Sequence, residues 1–364
     1  MRRRARGPQR IICRNPRRPR DQENDMNDRR FPEPERVSIG LFPTPLHRLD
    51  RLSEQTGYDV WIKRDDFTGR NLYGGNKVRK LEFLMGYALA NGYDYVITYG
   101  ATQSNHCMQT ITAARICGLE PIVYLTSIVE PDPKDMRANL LLDSIYGAEV
   151  HIIPEGSDPH EYSAPRIAEL EAAGHKVYDV PVGGSNEVGI CGYVNGYLEV
   201  LEQMKAMGKH MDYLFTTTGS GGTLAGLAAG KKFADDDAVI TGFEVGLKDE
   251  TYKARVAKLA NSALDHMGAS DVRVTPDDFE TDDAYVGEGY EIPSAAGTAA
   301  IRRLARSEGI LTDPVYSGKA LSGMLDYLDR KKLPEGSTIV FLHTGGTTAL
   351  FAEHAIVGPV GEEA

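Results

Sequence analysis

Only four cysteines and one tryptophan occur among the 364 residues, and no unbroken apolar run reaches the ~18 residues that a membrane-spanning helix needs. Cys13, Cys107, Cys117 and Cys191 form no CxxC pair and do not cluster with histidine. That excludes a disulfide-stapled scaffold, leaves no expected metal site, and suits a reducing cytoplasm. Basic charge is also short: the formal net charge is −11, which speaks against a nucleic-acid partner. No Gly-Lys-Ser/Thr follows any glycine-rich turn, so a Walker-type nucleotide loop is absent. Internal repeats are absent too.

The positive charge that exists is concentrated. Residues 1–20 hold nine arginines and no acid. A nucleic-acid or membrane arm and an Arg-rich transit peptide compete as readings of this stretch. The expectation here is a mis-assigned start, or else a disordered tail over residues 1–25, because no apolar periodicity lets it pack. Removing residues 1–25, with their nine arginines and three acids, takes the formal charge from −11 to −17.

From Val60 onward, short continuous apolar runs alternate with longer helical patterns. Strands are expected at Val60–Lys63, Tyr95–Tyr99, Pro121–Leu125, Glu149–Ile153, Lys176–Val180, Tyr213–Thr217, Val239–Val245 and Thr338–Leu342. Helices are expected at Lys77–Asn91, Asn105–Cys117, Pro133–Tyr146, Glu161–Ala173, Gly189–Met207, Gly222–Phe233, Thr251–Met267, Ser294–Arg306, Gly318–Arg330 and Thr347–His354. Continuous apolar strands separated by helices imply a doubly wound parallel α/β sheet, whose working residues sit where strands end and helices begin.

Three such junctions, Tyr99–Asn105, Thr216–Thr223 and His343–Thr348, are rich in Gly, Ser, Thr and Asn. Thr216–Thr223 reads Thr-Thr-Thr-Gly-Ser-Gly-Gly-Thr and leads into a helix, whose free N–H groups and positive dipole end suit a phosphate. Leu224 stands where a dinucleotide fingerprint needs its third glycine. Lys77 follows Gly74-Gly75-Asn76 at the first turn of a helix, where the dipole and the neighbouring Arg79 and Lys80 disfavour an ammonium ion. By itself this basic stretch also reads as a solvated helix face. Ser104 and Asn105 sit at a helix start, where capping alone accounts for them, and His106 is expected to be structural.

Taken together and in order, Phe42-Pro-Thr-Pro-Leu46, Trp61-Ile-Lys-Arg-Asp-Asp66, Gly74-Gly-Asn-Lys-Val-Arg-Lys-Leu-Glu82, Gln103-Ser-Asn105, Ser220-Gly-Gly-Thr223, Asp313-Pro-Val-Tyr-Ser-Gly-Lys319 and Thr344-Gly-Gly346 resemble the fold-type II, tryptophan-synthase-β-like enzymes that use pyridoxal 5′-phosphate (PLP). More narrowly they resemble the 1-aminocyclopropane-1-carboxylate (ACC) deaminase and D-cysteine desulfhydrase family, from about Val37 to the C-terminus. The resemblance implies two open, twisted parallel-sheet α/β domains with the cofactor between them. The larger would hold residues 26–79 and 189–364, the smaller residues 80–188.

The resemblance also implies roles. Lys77 would hold the cofactor as a Schiff base, next to Asn76. Asn105 would lie near the cofactor's 3′ oxygen, and Ser104 near the substrate carboxylate. Thr218, Gly219, Ser220, Gly221, Gly222 and Thr223 would form the phosphate cup. Tyr316 and Tyr290 would be acid/base groups, although Glu291 departs from the family's usual Gly-Tyr-Gly. Ser317 and Thr344 replace the Glu and Leu of the deaminases, which sides with the desulfhydrases. A neutral hydroxyl beside the ring nitrogen would make a weaker electron sink than a carboxylate. The expected reaction is β-elimination on a small amino acid, D-cysteine first, by a cytoplasmic homodimer with no membrane or nucleic-acid partner. ACC deamination and L-cysteate sulfo-lysis are the alternatives within the enzymes, and a non-catalytic PLP-binding protein is the alternative outside them.

Overall fold

The computed structural model describes residues 34–71, 73–127, 131–134 and 136–352. The arginine-rich extension and the end of the helix expected at 347–354 lie outside them. In chain order the elements are β1 (Leu46–Arg48), α1 (Asp50–Thr56), β2 (Asp59–Arg64), α2 (Asn76–Ala90), β3 (Tyr95–Ala101), α3 (Asn105–Cys117) and β4 (Glu120–Ser127). Then follow α4 (Ala138–Ile145), β5 (Glu149–Pro154), α5 (Pro159–Ala172), β6 (Val177–Asp179), α6 (Glu187–Ala206), β7 (Tyr213–Thr218) and α7 (Gly222–Phe233). The chain closes with β8 (Val239–Glu244), α8 (Tyr252–His266), β9 (Glu280–Asp282), α9 (Ala295–Glu308), α10 (Ser317–Asp329), β10 (Thr338–His343) and a 3₁₀ turn at Thr347–Phe351.

All eight expected strands form; the central ones are apolar runs covered on both faces, with β7 and β10 buried along almost their whole length, whereas β5 and β6 at the edges of the smaller sheet are only partly covered. Together with β1 and β9 the eight make ten strands among the described residues, in two sheets. One has six strands in the order β1-β2-β10-β7-β8-β9, the other four in the order β5-β4-β3-β6. Every pairing is parallel except the edge pair β1–β2. The expected helix at Pro133–Tyr146 starts only at Ala138, and the segment from Thr347 is 3₁₀ rather than α.

Helix α2 lies across the end of β2 and is fastened there by charge. Arg79, 4% exposed, gives two hydrogen bonds to the fully buried Asp65 (2.7 and 2.8 Å) and two to Glu199 on α6 (2.8 and 3.0 Å). Lys63 on β2 reaches the same Glu199 at 2.5 Å, and the Tyr193 hydroxyl donates to Asp65 at 2.7 Å. Burial alone would raise the Asp65 pKa, but the Arg79 guanidinium holds it below the ordinary carboxylate value. Arg79 is therefore not the neighbour that repels Lys77. Two residues along a helix turn the side chain by about 200°, onto the opposite face.

Removing one partner of such a buried set leaves an unpaired charge, which costs about 3–5 kcal/mol. Asp65→Ala is expected to lower the urea midpoint by that measure at pH 7. Because the folded-state pKa of Asp65 is depressed, its contribution is present above the unfolded carboxylate pKa and fades as pH falls through the folded one. The gap between wild type and variant should accordingly shrink in acid; a constant gap would rule out this charge as its origin.

Candidate active site

The C-terminal ends of β7 and β10 and the start of α3 face one another, so both sheets contribute to one site. Thr348, past β10, donates from Oγ1 to Asn105 Oδ1 at 3.3 Å, and Asn139 on α4 donates to the same oxygen at 2.9 Å. With Oδ1 occupied, the Asn105 amide is turned so that Nδ2 points toward Gly346, where a Cβ would lie 3.0 Å from it. That position needs glycine anyway, since its φ is +96°. Gly75 and Gly345 form an isolated β-bridge, and Asn76 N–H donates to Thr344 O at 3.0 Å, which ties the lysine-bearing loop to the loop after β10.

Lys77 Nζ donates to Asn76 Oδ1 at 2.8 Å, and Asn76 Nδ2 donates to Thr223 Oγ1 at 3.0 Å. Burial lowers the Lys77 pKa to about 8, opposed by the negative charge of Asp313. Desolvation is the cause here, in place of the repulsion from Arg79 read off the sequence.

At the start of α7 the chain turns through Gly219-Ser220-Gly221, and no side chain caps the helix. Its first-turn N–H groups open onto a small polar recess. Ser220 Oγ lies 2.9 Å from Ser185 Oγ, and Thr218 Oγ1 lies 2.6 Å from Tyr252 Oη. Lys80, 1% exposed, enters this recess from α2 and donates to Gly183 O at 3.0 Å and Ser185 Oγ at 3.4 Å. A Cβ at Gly222 would lie 2.7 Å from Lys80 Nζ, so only glycine leaves the space open. Burial, and then the nearby Lys77, hold the Lys80 pKa well below its ordinary value. No carboxylate among the described residues pairs with it.

On the other side Tyr290 and Tyr316 share a short hydroxyl–hydroxyl hydrogen bond. Burial, and then Tyr290, raise the Tyr316 pKa well above the usual phenol value. Tyr290 is 49% exposed, and Glu291 beside it has φ +67°, the left-handed conformation that Gly-Tyr-Gly would have supplied without strain. Ser317 begins α10, with its hydroxyl bound to Asp313. Ser104 caps α3, accepting the Cys107 N–H at 3.2 Å. His106 sits 2.8 Å from Thr98 Oγ1 and is buried, as expected of a structural histidine.

Residues 37–345 match the pyridoxal-phosphate dependent enzyme family. The chain belongs to it. Among curated relatives, a D-cysteine desulfhydrase of Yersinia enterocolitica is 41% identical over 314 residues, covering 85% of this chain and 93% of the relative. A Thermotoga maritima protein provisionally named as an ACC deaminase is 38% identical over 327 residues, covering 87% of this chain and 98% of its own. A crystal structure of an ACC deaminase homologue superposes with a TM-score of 0.79 at 36% identity, over 89% of this chain and 96% of that one. A tomato (Solanum lycopersicum) threonine deaminase, 17% identical over 89% of this chain and 84% of its own, shares the fold at a TM-score of 0.60.

The residues present fit PLP. A buried lysine without a carboxylate, an uncapped helix start and a glycine cradle form a recess for a phosphate dianion. A second lysine of reduced basicity stands one hydrogen-bonded asparagine away. Gly183 and Ser185 beside the start of α7, and Asn139 behind Asn105, were not recognisable from motif order, because each comes from a part of the chain outside the motifs; Lys80 lies within the lysine motif, but its sequence position does not show which way its side chain turns.

Two outcomes check this. Lys80→Met should weaken PLP binding by an order of magnitude or more and leave the binding of unphosphorylated pyridoxal nearly unchanged, measured by titration. In cofactor-free protein, covalent loading followed by absorbance should accelerate as pH rises through about 8, since the neutral amine is the nucleophile.

Proposed function

We propose that this PLP-dependent enzyme is a lyase that converts D-cysteine to pyruvate, hydrogen sulfide and ammonia. The observation that carries this reading is the grouping of a partly buried amine of lowered basicity with a pair of tyrosines whose hydroxyls are hydrogen-bonded to each other. Lys77, Tyr290 and Tyr316 all feel the charge of Asp313. The small hydroxyl residues Ser317 and Thr344, and the desulfhydrase named among the relatives, support sulfide as leaving group.

In this proposal Lys77 holds the cofactor covalently, with Asn76 orienting its amine. Bound PLP supplies an electron sink that stabilises negative charge on the substrate α-carbon. Asn105 and the open N–H groups at the start of α3 receive the ring oxygen and the substrate carboxylate, with Ser104 closing that turn. Freed Lys77 takes the α-proton. Tyr290 and Tyr316 pass a proton to the departing thiolate, so that hydrogen sulfide leaves neutral while the Cβ–S electron pair goes with sulfur. The released enamine is hydrolysed by water to pyruvate and ammonia, and the Lys77 amine would again be the group that holds the cofactor. Thr218, Gly219, Ser220, Gly221, Gly222 and Thr223 hold the phosphate throughout.

A cytoplasmic homodimer belongs to the same proposal. The described cysteines Cys107, Cys117 and Cys191 are all free thiols, which suits a reducing compartment, and no described helix is long and apolar enough to cross a membrane. Exposed Leu247 and Phe351 offer apolar surface to a second copy.

The decisive measurement is a parallel assay of sulfide from D- and L-cysteine, sulfite from L-cysteate and 2-oxobutanoate from ACC. Sulfide from D-cysteine should dominate; faster 2-oxobutanoate would replace this reading with deamination. Tyr316→Phe should lose about 10²–10⁴-fold in kcat while keeping the visible cofactor band. Lys77→Ala should lose both.

A further inference from the structure

Asp313 is fully buried, and four donors converge on its carboxylate. Oδ2 accepts the N–H groups of Val315 (2.9 Å) and Tyr316 (2.7 Å). Oδ1 accepts the Ser317 N–H at 2.7 Å and also the Ser317 hydroxyl, in a very short bond. In return the Asp313 N–H donates to Ser317 Oγ at 2.9 Å. A serine hydroxyl has one proton to donate and two lone pairs to accept with. Here the proton is committed to a carboxylate, the stronger kind of acceptor. Among the described residues the other acceptor beside it is Gly345 O, at 3.4 Å. One lone pair is taken by the Asp313 N–H, and one remains.

Ser317 can therefore serve a ring nitrogen only as an acceptor. An unprotonated nitrogen would set lone pair against lone pair, whereas a protonated one donates into the free position. The anion behind the hydroxyl then lies one hydrogen bond away. Asp313 also packs against the loop after β10: a Cβ at Gly346 would lie 3.0 Å from its Oδ1. The charged and titratable groups that feel Asp313 are Lys77, Lys319, Tyr290 and Tyr316. Lys319 is held off by its bonds to Val286 O (2.8 Å) and Gly289 O (2.7 Å).

We propose that Asp313 is a positioning residue that acts through Ser317 to keep the cofactor's pyridine nitrogen protonated. The serine is then a relay to a carboxylate, and the sink is deep, contrary to the weaker one expected from a lone neutral hydroxyl. This rests on Ser317 being the residue that faces the ring nitrogen.

The test is ¹⁵N NMR of holoenzyme reconstituted with PLP labelled at the ring nitrogen. In wild type the signal is expected in the pyridinium range. Ser317→Ala, which keeps the Asp313 carboxylate and its three backbone donors, should move it to the unprotonated range, and Ser317→Thr should retain the pyridinium signal. Asp313→Asn should match Ser317→Ala; if that variant does not fold, the serine pair alone decides. An unprotonated wild-type signal overturns the proposal and leaves the assignment of Ser317 untouched. A pyridinium signal that Ser317→Ala does not move overturns both, because the nitrogen then faces something else.

Discussion

One buried ion set determines how this site is presented. The Arg79 guanidinium, held between Asp65 and Glu199, locks a single rotational setting of α2 against the larger sheet. With that face pinned, the residues three and two before it and the one after point elsewhere: Asn76 and Lys77 to the cleft, Lys80 to the recess at the start of α7. A helix free to roll by one residue, about 100°, would lose both lysines from their places at once. Desolvating so many charges is costly, and hydrophobic residues of the same volume could hold a helix equally well. The charges provide direction, since a guanidinium bound by two carboxylates permits far fewer orientations than a leucine among leucines.

The same economy of orientation recurs around Asn105. Its oxygen is taken by Asn139 from one sheet's helices and by Thr348 from the other sheet's turn, so the amide direction depends on both sheets being in place. Tyr316 and Ser317 are likewise oriented by backbone donors ending on Asp313. Asn105 and Ser317, both proposed to meet the cofactor, are each held by a neighbour that does not.

Much of the framework was legible before any coordinates. Parallel strands buried on both faces write themselves as unbroken apolar runs, and all eight were read within a few residues of their ends. The elements not foreseen were β1, α1 and β9. Strands of three residues, such as the polar Glu280-Thr281-Asp282 edge, are too short to show a period, and α1 is seven residues with few buried positions. The motif residues were legible as types in a known order. Direction was not: Arg79 and Lys80 are adjacent in sequence, yet one turns to the buried ion set and the other to the recess at the start of α7. Asp313 was visible within its motif, yet nothing in a linear string says that four donors close upon it.

The seam between the lysine loop and the loop after β10 is backbone against backbone. A Cβ at Gly345 would come within 2.6 Å of Gly74 O, and one at Gly75 within 2.9 Å of Thr344 O. The glycines of that seam have no room for a side chain, so substitution there cannot enlarge, recharge or reshape it. Diversification of substrate preference on this scaffold is left to side chains off those glycines: Thr344 beside the seam, and across the cleft Tyr290 and Ile292, which stand half-exposed on a segment already bent out of regular geometry at Glu291. One wall is invariant by sterics, the other is adjustable, and the cofactor's chemistry can stay constant while the clientele changes.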